Sequence, residues 1–276
     1  MLNFIMFLKR FFFSIGLFSL FLLVSAQVPK RIVSLVPSIT KQLYDLDIQN
    51  RIVGCTSYCK AKDEKGVEIV ASAIQVNIEK TLMLNPDLII ISSLTNPKTV
   101  ATFKKMGLRT IYFIVPKSFT DLCNQFIRLA DICGKKDKAE LIVHEQNRRL
   151  NKLIAQIPKS EKPLIFIQIG ANPLWTVIDD SFMGDYIRLL GGVNLAAGLK
   201  SGSINRESVL LKNPDVIFIT SMGVATNQEK QIWLNYKALN AVKNNKIFVL
   251  EADKANAPTV IEFVDVLEEM KKDIYN

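Results

Sequence analysis

The stretch VNIEKTLMLNPDLIIIS, residues 76–92, returns as INRESVLLKNPDVIFIT at residues 204–220, and the two align without a gap. Asn77 and Asn205, Glu79 and Glu207, Leu82 and Leu210, Asn85 and Asn213, Pro86 and Pro214, and Asp87 and Asp215 hold equivalent places. Each copy reads as an N-cap Asn, a first-turn Glu on the positive end of the helix dipole, an apolar face, a proline stop and a buried strand. Two helix–strand units with so many shared positions predict an internal pseudo-two-fold, with one α/β lobe built twice.

The flanks of each copy carry the same alternation. The first copy ends in a short apolar run at 87–92 (DLIIIS), and others lie before it at 32–36 and after it at 110–115 (TIYFIV), continuous rather than alternating, as expected of strands covered on both faces by helices. Helical patterns fall at 38–46, 78–84, 98–106 and 119–132, with Gly107 and Gly134 at C-cap places. Around the second copy, strands are expected at 164–169, 216–220 and 246–250, and helices at 182–190 and 259–271. Between the two sets, residues 136–157 keep one apolar stripe (Ala139, Ile142, Val143, Leu150, Leu153, Ile154, Ile157) up to Pro158. At 1.5 Å per residue that helix spans roughly 33 Å, enough to run from one lobe to the other. The expected organisation is residues 1–26 as a targeting segment, 27–134 as the first lobe, 135–158 as a linker helix and 159–276 as the second lobe.

The targeting reading rests on order. Lys9 and Arg10 precede an apolar run from Phe11 to Val24, and Val24-Ser25-Ala26 offers small residues at −3 and −1 of a cleavage site. Export to the periplasm with cleavage after Ala26 is expected, a retained membrane anchor being the alternative, and no cysteine ends the apolar run to make a lipoprotein. Loss of Lys9 and Arg10, with no acids, lowers the formal charge from +9 to +7. The remaining surplus is spread over pairs such as Lys104-Lys105 and Lys271-Lys272, with no aromatic-interleaved basic stripe, so nucleic acid is not an expected partner. Of four cysteines, Cys123 and Cys133 are ten apart on one expected helix, too far to bridge, while Cys55 and Cys59 either stay free or form one local bridge. Cys-x3-Cys alone makes a poor metal site.

An enzyme is not expected. The chain has a single histidine, His144, placed within the linker helix, and no G-x-S-x-G elbow, phosphate-binding glycine loop or H-E-x-x-H. Asp179-Asp180 reads as a turn. One histidine also makes a zinc- or manganese-type receptor site improbable.

The order RIVSLVPSITKQLYDL (31–46), IVGCTSYC (52–59), VNIEKTLMLNPDLII, a linker helix, then GGVNLA (191–196) and INRESVLLKNPDVIF resembles the helical-backbone substrate-binding proteins of ABC importers, those receiving cobalamin, haem and ferric siderophores. The resemblance covers residues 30–276 and is strongest to the cobalamin-binding members. It implies two Rossmann-like α/β lobes with mostly parallel sheets joined by one long helix, the class III periplasmic-binding-protein fold. It further implies a monomer, a small-molecule ligand in the interlobe cleft, no resident cofactor, and an ABC permease dimer with its ATPase subunits as partner. By motif, Glu79 and Glu207 match the glutamates that dock on the permease. Tyr58 matches a cleft tyrosine, Trp175 sits near the cleft aromatic of the other lobe, and Glu251 and Asp253 fall among polar cleft positions. Three positions depart: Ala73 and Ser201 replace tryptophans, and Ala255 an arginine, of a cobalamin-binding member. The implied cleft is less aromatic and less cationic.

Overall fold

Strand β1 (Ile32–Ser34) stops where Pro37 opens helix α1 (Pro37–Asp45), because proline at the first helical turn gives up an N–H that has no helical partner anyway. The chain then builds β2 (Ile52–Thr56), β3 (Glu68–Ala71), α2 (Ile78–Met83), β4 (Leu88–Ser92), α3 (Pro97–Lys105), β5 (Thr110–Phe113) and α4 (Phe119–Ile132). This is a computed structural model; it describes residues 27–72, 75–220 and 225–276, so the expected targeting segment lies outside the described residues, as does Ala73. The first sheet has the order β3-β2-β1-β4-β5, and every pair is parallel. All five residues of β4 are buried, which is why its sequence is a continuous apolar run.

Helix α5 (Lys136–Ile154) follows, 19 residues and about 28 Å long. It ends three residues before the expected Ile157; Ala155 is its C-cap, and the chain turns before Pro158 is reached. Beyond it come β6 (Leu164–Gly170), β7 (Trp175–Thr176), α6 (Phe182–Leu189), β8 (Val193–Asn194), α7 (Arg206–Lys212), β9 (Val216–Ile219), α8 (Ala225–Leu234), α9 (Asn240–Lys243), β10 (Ile247–Val249), α10 (Ala252–Asn256) and α11 (Val260–Tyr275). The second sheet runs β10-β9-β6-β7. Strand β8 pairs parallel with the start of β6, and β7 antiparallel with its end.

The repeat seen in the sequence is a repeat in space. Asn77 Oδ1 accepts from the Lys80 amide at 2.8 Å, and Asn205 Oδ1 from the Ser208 amide at 2.8 Å. Asn85 and Asn213 both take left-handed backbone, with φ of 44° and 49°, so an asparagine, ahead of the proline, stops each helix. The carboxylates that follow tie each unit to the first strand of its sheet: Asp87 accepts from the Lys30 and Arg31 amides, Asp215 from the Leu164 amide.

One hydrophobic core reaches across both sheets, holding Ile32, Ile90 and Phe126 together with Ile165, Phe218 and Phe263. At its centre Phe119 and Tyr186 pack on Phe263 with ring centroids 5.0 and 4.4 Å away. Polar clamps surround it. Lys41, only 5% exposed on α1, reaches Glu262 at 2.7 Å and Asp253 at 3.3 Å. Glu262 also completes a capping box with Thr259 at the start of α11. Arg149 on α5 holds Asp265 and Glu268 of α11, each at 2.8 Å. His144 is exposed on α5. Among the described residues, no helix is long and apolar enough to cross a membrane.

Candidate functional site

The carboxyl ends of the strands are where an open α/β sheet offers room for a ligand, and Trp175 stands at such an end. Its strand β7 folds back antiparallel on the end of β6, with Gly170 opposite Trp175. Two glycines make this possible. A Cβ on Gly170 would lie 3.0 Å from the Trp175 Cβ; one on Gly202 would lie 2.6 Å from Trp175 Nε1 and 2.2 Å from the Thr176 carbonyl. The indole therefore rests directly on the backbone of residue 202, with 40% of the residue still exposed. A cavity of about 750 Å³ opens beside it, lined by Ile169, Val177, Phe182 and Met183 as well as by Ser201 and Asn256. That volume is within the range of small-molecule sites, and a mostly apolar wall with few polar groups is their usual character.

The other expected cleft residues are placed as follows. Tyr58 follows the carboxyl end of β2; it is 56% exposed, and its amide donates to Thr56 Oγ1. It does not line the Trp175 cavity. Glu251 is exposed and paired with Lys254 at 2.6 Å. Asp253 points its carboxylate to Lys41. Neither acid lines the cavity; from the same short helix Asn256 does, and its Oδ1 accepts from Thr220 Oγ1 at 3.0 Å. The sequence reading passed over Asn256 because α10 is too short to show a helical period. Of the positions that depart from the family pattern, Ser201 lines the cavity and Ala255 is buried.

All four cysteines are free and buried. The Thr40 and Thr56 hydroxyls lie 3.1 and 3.2 Å from Cys59 Sγ. Interaction with Cys55, helped by those hydroxyls, holds Cys59 below the ordinary thiol range and pushes Cys55 above it. Cys133 caps the end of α4 rather than continuing it. Among the described residues no three His, Cys, Asp or Glu side chains gather as metal ligands.

Glu79 and Glu207 lie in the first turns of α2 and α7, both exposed. The cations near them are engaged elsewhere: Lys80 with Glu68 at 2.8 Å, Lys212 with the Leu195 carbonyl, Arg206 with Glu229.

Asp45, in the last turn of α1, gives the structure a pH dependence. Burial pushes its carboxyl from the ordinary 3.8 to about 6, with Glu262 adding to the rise and Thr259 and Lys41 opposing it. An acid whose folded value is raised favours folding when protonated, so this contribution is whole below about pH 4 and fades as pH rises to about 6. Asp45→Asn should therefore gain about 2–3 kcal/mol over wild type at pH 8 and nothing at pH 4. Urea unfolding of both proteins at the two pH values checks this; an equal gain at both would refute the assignment.

Two mostly parallel sheets, a long helix between them in the chain, and an apolar cavity at strand ends define a binding protein of the two-lobed α/β class. The chain belongs to the periplasmic binding protein family, whose pattern matches residues 32–254. It is accordingly a binding protein and not an enzyme. It is 29% identical over 234 residues to a vitamin B12-binding protein of Vibrio cholerae, covering 83% of this chain and 84% of that one. A Bacillus subtilis ABC transporter substrate-binding lipoprotein, itself uncharacterized, is 28% identical over 253 residues, covering 87% and 79% of the two chains. Among solved structures, the periplasmic vitamin B12 binding protein of Vibrio cholerae superposes with a TM-score of 0.76 at 26% identity, over 90% of this chain and 97% of that one. A possible iron-binding periplasmic solute-binding protein from Staphylococcus epidermidis gives 0.77 at 26% identity, over 91% and 100%.

Proposed function

We propose that the protein is the substrate-binding component of an ABC importer, capturing cobalamin or a related corrinoid between its lobes and delivering it to a permease dimer with its ATPase subunits. The observation that carries this reading is Trp175, held half-exposed on a glycine floor beside a cavity of about 750 Å³. A flat, largely apolar ring system gains most from such a face, because an indole buries much area while losing little side-chain freedom. Tyr58 supplies a second exposed ring, at a strand end of the other sheet. The likeness to vitamin B12-binding relatives supports the choice of macrocycle. The same reading makes the protein an exported monomer that loses residues 1–26.

A second reading is a haem or a ferric chelate. It draws on the exposed Tyr58 phenol, a group able to ligate iron, and on the likeness to a possible iron-binding protein.

Calorimetric titration with cyanocobalamin, haemin and a ferric siderophore tests the assignment. Cyanocobalamin should saturate one site, and Trp175→Ala should weaken it roughly thirtyfold, as loss of a central aromatic anchor of about 2 kcal/mol would. Saturation by haemin or the ferric chelate alone would select the second reading, and unchanged affinity in the variant would remove Trp175 from the site.

A further inference from the structure

Met83 and Leu211 are 80% and 87% exposed, and they occupy equivalent positions of the repeat. Isolated exposed apolar side chains are ordinary on any protein surface. A matched pair is different, because the repeat does not keep residue type at every solvent-reaching position: Lys80 aligns with Ser208. Each of the two side chains stands four residues after a glutamate on the same short helix, Met83 after Glu79 and Leu211 after Glu207. Residues four apart share a helix face, with Cβ atoms about 5–6 Å apart. Each lobe thus presents an acid and an apolar side chain together.

Lys80, Arg206 and Lys212 turn to partners of their own, and both glutamates are exposed on the same helices as their apolar neighbours. Two such patches, related by the pseudo-two-fold, fit a partner that offers the same surface twice, a cation beside an apolar patch.

We propose that Met83 and Leu211 are the apolar half of a paired docking surface, seating on the two equivalent subunits of the membrane permease while Glu79 and Glu207 meet its cations. The proposal rests on the transport reading and adds to it a contact that charge alone does not supply. Burying a Met or Leu side chain removes apolar surface from water and excludes water from the neighbouring ion pair.

Site-specific photo-crosslinking in cells of the source organism tests this without knowing the ligand. A benzophenone side chain is placed singly at Met83, Leu211, Glu79 or Glu207, with Leu141, 72% exposed on α5, as the control position. Met83 and Leu211 should each crosslink to the same integral membrane subunit, and Leu141 should not. Unlabelled protein should suppress those crosslinks, and the Met83→Ser, Leu211→Ser double variant should need about tenfold more protein to do so. Crosslinks from Glu79 and Glu207 but not from Met83 and Leu211 would overturn this proposal and leave the transport reading standing. No membrane crosslink from any of the four would overturn both.

Discussion

Changing Glu79 and Glu207 together to alanine should abolish ligand uptake by cells while leaving folding and ligand affinity nearly unchanged. Both residues are exposed in first helical turns, and neither lines the cavity at Trp175. As helix-end charges they contribute about 1 kcal/mol each or less, too little to unfold a domain. At an interface the balance changes, because truncating one partner of a buried ion pair costs about 2–5 kcal/mol. Two such losses exceed what a transient docking contact can absorb. Each single variant should retain partial uptake, since one lobe can still engage. Uptake assays in a strain lacking the native protein, beside calorimetry on purified variants, separate the outcomes. Survival of uptake in the double variant would reduce both residues to helix-end charges, and a parallel fall in ligand affinity would place them in the binding site.

The second large effect concerns the floor between the lobes. Lys41 is buried and ties α1 to the capping box of α11 through Glu262 and to α10 through Asp253. Lys41→Met keeps the apolar stem but strands Glu262, whose side chain is 19% exposed, without its cation. Breaking a buried pair from one side destabilises by about 3–5 kcal/mol, because the remaining charge stays desolvated. Urea unfolding at pH 7 should show that loss, and Lys41→Met with Glu262→Gln should recover much of it. A loss under about 1 kcal/mol would mean that water reaches Glu262 and that the bridge does not brace the lobes. With Arg149 clamping α5 to α11, the bridge ties α11 to two helices, α1 and α5.

How much of this was written in the chain depends on the kind of signal. The repeat was legible because buried parallel strands need continuous apolar runs, as in Leu88–Ser92 and Val216–Ile219, and because Asn77 and Asn205 are caps by type. Helix 119–132 was found with both ends in place, since Ser118 caps one and Gly134 takes the left-handed turn beyond the other. Other elements left weaker marks. Strand β3 ends a stretch of charged residues and has two exposed positions, so hydropathy does not announce it. Strands β7 and β8 are two residues each and exist only by pairing with β6. Expected strand 110–115 stops at Phe113, and Ile114 and Val115 are exposed past the end of the sheet. At the site, Trp175 could be singled out by type alone, but its floor of Gly170 and Gly202 depends on a fold-back that no local pattern encodes. The pairing of Met83 with Leu211 was present in the alignment; only their exposure gives it meaning.

The absorption spectrum of the protein purified from the periplasm of its own organism tests the central claim most directly, because the ligand is then chosen by the cell. The account predicts the bands of a corrinoid, in stoichiometric amount, on a chain whose N-terminal sequence begins at Gln27. A colourless protein that stays unchanged when corrinoid is supplied in the growth medium, or one carrying the bands of haem or a ferric chelate, would contradict it.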